Sequence, residues 1–92
     1  MKPADLSEGL RKTLRKLPKE ARFSVGKVIR QTEENFGKVH LHSGLGLRSL
    51  IRNYHEVRVG LKLRLVFRND EDVLSFLFIG NHDEVRRFLK QL

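Results

Sequence analysis

The sequence predicts an α+β fold: an N-terminal helical hairpin packed on a small twisted antiparallel sheet, followed by a C-terminal helix. Three patterns carry this reading. Leu6, Leu10, Leu14 and Leu17 recur at helical spacing near the start. Residues 54–59 and 61–68 alternate in the manner of strands with two unlike faces. Val85, Phe88, Leu89 and Leu92 form a last helical stripe. Ninety-two residues fit a single domain spanning 1–92, with room for only a modest core.

Each element has its own start and stop signals. Ser7 or Asp5 can cap the first helix, because their oxygens accept its free N–H groups. No strand is expected in the few residues before it. Pro18 ends that helix and opens the second, since proline fits the first turn and breaks a helix interior. Ala21, Val25, Val28, Thr32 and Phe36 form the second stripe, and Gly37 ends it. Gly26 in mid-helix suggests a close helix crossing. Residues 38–46 read as a loop from Ser43, Gly44 and Gly46, and 47–51 as a short strand.

The sheet follows. On residues 54–59, Tyr54, Glu56 and Arg58 share one face, and His55, Val57 and Val59 the other. Gly60 turns the chain. Leu61, Leu63, Leu65 and Phe67 then point inward, with Lys62, Arg64, Val66 and Arg68 outward. Residues 73–79 are apolar on both faces and read as a central strand. Asn81 and Glu84 have the spacing of a capping box for the last helix.

Nineteen Lys and Arg against eleven Asp and Glu leave a net charge of +8, which attracts polyanions. The same excess also suits a merely solvated surface or the docking of an acidic protein. There is no cysteine, so neither a disulfide nor a thiolate metal site is available. The start of the chain reads as amphipathic rather than as a signal peptide, and no apolar run is long enough for a bilayer. A cytoplasmic location without membrane contact is expected.

Antiparallel pairing would gather Tyr54, Glu56, Arg58, Lys62, Arg64 and Arg68 on one polar face. Cations around one carboxylate suit phosphodiester chemistry. The cations hold the phosphate, and acid–base groups move protons between the 2′-hydroxyl and the leaving 5′-oxygen. The simpler reading is that Glu56 only neutralises Arg58 or Arg64. His82, at the end of the central strand, is placed for proton transfer or is a surface cap residue. Tyr54 is the one aromatic free to stack on a base. His40 and His42 lack a third ligand at metal-site spacing, so they read as loop histidines. His55 reads as partly buried core.

The segments Arg48-Ser49-Leu50, Tyr54-His55-Glu56-Val57-Arg58-Val59, Leu63-Arg64-Leu65-Val66-Phe67 and Gly80-Asn81-His82-Asp83-Glu84-Val85 together resemble the RelE/ParE superfamily of bacterial toxins. The resemblance implies helices packed on a twisted sheet and the toxin of a type II toxin–antitoxin pair. Its RelE-like branches, including HigB and YafQ types, cut messenger RNA in the ribosomal A site without a metal or other cofactor. By position, Glu56 is implied as general base or phosphate-side partner. Arg58 and Arg64 would bind the scissile phosphate, His82 would be the general acid, and Lys62 would add charge. Arg48, Arg68 and Tyr54 complete the implied RNA-binding set. The implied partners are a cognate antitoxin, small and acidic, together with the ribosome and its message. Two alternatives stay open: a ParE-like toxin that inhibits gyrase by protein contact, and a basic binding module without catalysis.

Overall fold

The computed structural model describes all residues, Met1–Leu92. Nine elements run in order: β1 (Ala4–Leu6), α1 (Glu8–Arg15), α2 (Lys19–Asn35), α3 (Val39–Leu45), β2 (Arg48–Ser49), β3 (Tyr54–Val59), β4 (Leu63–Asn69), β5 (Leu74–Gly80) and α4 (His82–Lys90). The strands form one five-stranded sheet in the order β1-β5-β4-β3-β2. No helix is long and apolar enough to cross a membrane.

The fold is α+β, with three differences from the expected architecture. First, β1 precedes the helices and pairs in parallel with β5, so the sheet is mixed rather than antiparallel. Three residues are too few to show alternation. Their strand is fixed from outside: the Ala4 N–H donates to Glu33 Oε2 at 2.7 Å and the Leu74 N–H to the Pro3 carbonyl at 2.9 Å. Leu6, expected on the helical stripe, therefore belongs to a strand. Second, the chief contacts of the first two helices are with the sheet, α1 with β5 and α2 with β3, rather than with each other. Third, residues 39–45 are helical where a loop was expected, because Gly46 caps the C-terminal end of α3 in the left-handed region, at φ 70°.

Local chemistry accounts for the helix boundaries. The Leu10 N–H donates to Ser7 Oγ at 3.1 Å and starts α1. Pro18 occupies the N-cap of α2, and Gly37, at φ 96°, follows its end. At α4 the Glu84 N–H donates to Asn81 Oδ1 at 2.9 Å, and the Asn81 N–H donates to Glu84 Oε1 at 2.8 Å. That is the capping box expected from Asn81 and Glu84. Gly26 meets nothing closer than an Arg30 side-chain nitrogen at 3.9 Å, so no close helix crossing explains it.

Two cores lie on opposite faces of the sheet. The larger joins Leu10, Val25 and Ile29 of the helices to Val57, Leu65, Phe67 and Phe76. Phe67 and Phe76 are fully buried, with ring centroids 4.9 Å apart. The smaller packs Tyr54, Val66 and Val85 with Leu77, Phe78, Phe88 and Leu89 beneath α4. A bulge in β5 makes both possible: Val66 faces Phe78, yet Phe67 faces Phe76. Leu77 is thus the extra residue. Leu77 and Phe78 both turn toward α4, while Phe76 and Ile79 both turn toward the larger core. Residues 76–79 are apolar at every position, which hides such a change of face.

His55 links the larger core to α3. Its ring stacks on Phe67 at 5.3 Å and meets Phe36 edge-on at 5.1 Å; Phe36 in turn stacks on His42 at 5.7 Å. Burial lowers the His55 pKa below its ordinary value, outweighing the raising effect of its contact with the Asn53 carbonyl. A lowered folded pKa means that the unfolded chain binds the proton more readily. The contribution to stability is whole above the ordinary pKa of about 6.5 and declines as pH falls below it. The wild-type protein is therefore expected to lose more thermal stability between pH 7 and pH 5 than His55→Gln. Equal losses in parallel melting curves would contradict this role.

Candidate phosphate-binding cleft

Strand register decides which charged side chains meet. Arg48 lies opposite Glu56, Arg58 opposite Arg64, and Arg64 opposite Gly80, which leads into α4. Arg64 is also diagonal to Glu56, whose direct partner is Val66. Like charges directly across a ladder repel, so the facing pair Arg58 and Arg64 needs a nearby anion. Glu56 supplies one. Its Oε2 accepts from Arg48 Nε and from Arg64 Nη1, each at 2.8 Å.

These residues surround a cleft of about 610 Å³ lined by Ser43, Gly46, Leu47, Arg48, Arg58, Arg64 and His82. Glu56 is only 1% exposed and does not line it. The carboxylate lies beneath the arginines. His82 is the first residue of α4 and exposed at the rim. Gly46 forms part of the wall, where the Arg58 N–H donates to its carbonyl at 3.2 Å. A Cβ at position 46 would come within 2.8 Å of both Arg58 Cβ and Arg58 Nε. Only glycine combines the left-handed cap of α3 with this close passage of Arg58.

Four of the residues singled out in the sequence thus line one cleft: Arg48, Arg58, Arg64 and His82. Glu56 is under its floor. The other three stand apart. Tyr54 is 9% exposed in the α4 core and is not free to stack on a base. The polar face inferred from β3 and β4 is mostly roofed by α4, which hides Tyr54 and Val66. Arg68 faces Tyr54 at the far end of β4, where Asp70 grips it at 2.7 and 3.0 Å. Asp70 and then Tyr54 push the Arg68 pKa further above its ordinary value. Arg68, and next the Ser75 hydroxyl at 2.6 Å, hold the Asp70 carboxyl below the usual carboxylate range. This is a structural clasp, tightened by Lys2 Nζ donating to Asn69 Oδ1 at 2.6 Å.

Lys62 lies in the turn between β3 and β4, outside the cleft lining. The turn begins with Gly60 at φ 64° and also carries Leu61, which is 96% exposed rather than inward. Sequence reasoning missed Ser43, Gly46 and Leu47. The glycine after a short run of helix-compatible residues was the one available signal, and it reads equally as a loop marker. His42 sits in α3, with its Nε2 accepting from the Gly37 N–H at 3.1 Å. Phe88 stacks on Phe78 at 4.7 Å and lines a separate groove of about 210 Å³.

The chemistry open to this cleft is anion binding. Three guanidiniums, each rich in N–H donors, face a volume that fits a phosphate and part of its nucleotide. An imidazole stands at its edge.

The architecture is a mixed sheet between two helical layers with a basic cleft at one end. It is similar to a chain in the crystal structure of the RelB–RelE antitoxin–toxin complex from Methanococcus jannaschii. The TM-score is 0.65 at 19% sequence identity, over 90% of this chain and 95% of that one. At that identity the likeness concerns the fold alone. No protein-family model matches the chain, and no curated protein matches it in sequence.

Proposed function

We propose that this chain is the toxin of a type II toxin–antitoxin pair, an endoribonuclease that cuts messenger RNA on the ribosome. The observation that carries the reading is the convergence of Arg48, Arg58, Arg64 and His82 on one cleft. The RelB–RelE likeness of the fold supports it, as does the +8 charge. A small acidic antitoxin would cover the basic surface, and the site of action would be the cytoplasm.

In the proposed reaction the 2′-oxygen of one nucleotide attacks its own 3′-phosphorus. The new O2′–P bond forms as the P–O5′ bond breaks, giving a 2′,3′-cyclic phosphate and a free 5′-hydroxyl. The 2′-hydroxyl gives its proton to a water molecule, and one proton joins the departing 5′-oxygen. Arg58 and Arg64 stabilise charge on the non-bridging oxygens. His82 is the imidazole that lines the cleft, and it is assigned the proton transfer to the departing 5′-oxygen. Glu56, Arg64 and His82 thus form the proposed centre, with Glu56 acting from beneath the arginines. The ribosome would hold the message in register, so few protein groups are needed for orientation.

Induced expression with mapping of cellular RNA 5′ ends tests this. Codon-phased cuts that disappear in His82→Ala are expected. Intact messages with a DNA-damage response would favour gyrase inhibition, and the absence of any growth effect would favour a binding module.

A further inference from the structure

Glu56 is the carboxylate of the proposed centre, and proton removal from the 2′-hydroxyl is the role its chemistry first suggests. Its surroundings argue otherwise. The side chain is only 2% exposed, and the cleft lining does not include it. Both of its ion pairs end on the same oxygen, Oε2, at 2.8 Å. A carboxylate oxygen that accepts two charge-assisted bonds from guanidiniums is poorly placed to receive a substrate proton as well. Oε1 has no hydrogen-bond partner, but the residue as a whole is 1% exposed and is not part of the cleft lining.

We infer that Glu56 is a positioning residue: it draws Arg48 and Arg64 together so that their remaining N–H donors face one phosphate, and it takes no proton from substrate. Arg48 bonds through Nε and Arg64 through Nη1, so each retains further donors. Without the carboxylate, Arg48, Arg58 and Arg64 would be three like charges at one end of the sheet, and repulsion would spread them. The two partners are not equivalent. Arg64 is on an inner strand and its side chain is 28% exposed, whereas Arg48 is on the two-residue edge strand and is 60% exposed. Arg48 is therefore the arm free to turn from Glu56 toward an arriving anion, while Arg64 stays anchored. The catalytic half of this inference rests on the nuclease reading; the anion-binding half does not.

The test uses the full chain and two separate readouts. In the first, inorganic phosphate is titrated against the protein without ribosomes, and the Arg48, Arg58 and Arg64 side-chain signals are followed by NMR. Glu56→Gln is expected to weaken phosphate binding about tenfold, the equivalent of one lost charge-assisted contact. The Arg48 and Arg64 signals should broaden or shift in the free protein. Glu56→Asp should restore part of both effects. In the second, the pH dependence of ribosome-programmed cleavage is compared. The Glu56→Gln profile should keep its wild-type shape at a reduced rate.

Two outcomes would overturn the inference. One is unchanged or tighter phosphate binding with unmoved arginine signals in a folded Glu56→Gln variant. The other is a cleavage profile that loses its acidic limb in that variant, the mark of a general base. If the wild-type protein cuts no message, the nuclease reading fails by itself, and the phosphate titration still decides the role of Glu56. Should Glu56→Gln not fold, the Glu56→Asp signals carry the same decision.

Discussion

Arg64→Ala is expected to lower the rate of ribosome-programmed message cleavage by about 100- to 1,000-fold, the usual loss when one donor to a developing oxyanion is removed. Arg64 faces Arg58 across the ladder, lines the cleft and is bonded to Glu56 at 2.8 Å, so its loss removes both a donor to the cleft and a partner of the buried carboxylate. Arg64→Lys should recover only part of the loss. Lysine keeps the charge but lacks the planar fork that can bond the carboxylate and a phosphate at once. Purified variants checked for folding by circular dichroism and assayed on programmed ribosomes measure this. An Arg64→Ala rate within threefold of wild type would remove Arg64 from the centre.

Phe67→Ala has the largest expected effect on stability. Phe67 is fully buried and touches three rings: Phe76 at 4.9 Å, His55 at 5.3 Å and Phe36 at 5.5 Å. Truncating such a side chain costs about 3–5 kcal/mol in transfer energy and cavity formation. Domains of this size are stable by only about 5–15 kcal/mol, so much of the margin would go. The midpoint of thermal unfolding should fall by on the order of 20 °C. Because Phe36 and His55 carry the contact to α3, the loss should reach the cleft wall at Ser43 and Gly46. A fall of less than about 5 °C in a melting curve would show that the larger core does not depend on this ring.

The elements whose signals are local were legible in the sequence. Ser7, Pro18, Asn81 and Glu84 mark helix starts through side-chain oxygens or a missing N–H, and these effects act within a turn. The meeting of Arg58 and Arg64 followed from period-two alternation, because register carries same-face residues together, whereas Arg48 was implied only by the family resemblance. What escaped depends on distant parts of the chain. β1 exists because β5 pairs with it, and three residues carry no pattern of their own. The burial of Tyr54 and Val66 depends on α4 folding back over the face that alternation marked as polar. The bulge at Leu77 lies within residues 76–79, which are all apolar and do not reveal which side each position faces. Alternation also places a side chain on a face without giving its depth, so Glu56 was legible as a neighbour of arginines but not as a group beneath them.

The most direct test is the structure of the protein on a programmed ribosome whose message carries a 2′-deoxy nucleotide at the cut position, which blocks attack. The phosphate of that nucleotide is expected between Arg58 and Arg64, with His82 facing the 5′-oxygen and Glu56 still bonded to Arg64. A message that passes over another surface and leaves the cleft empty would contradict the proposed nuclease centre.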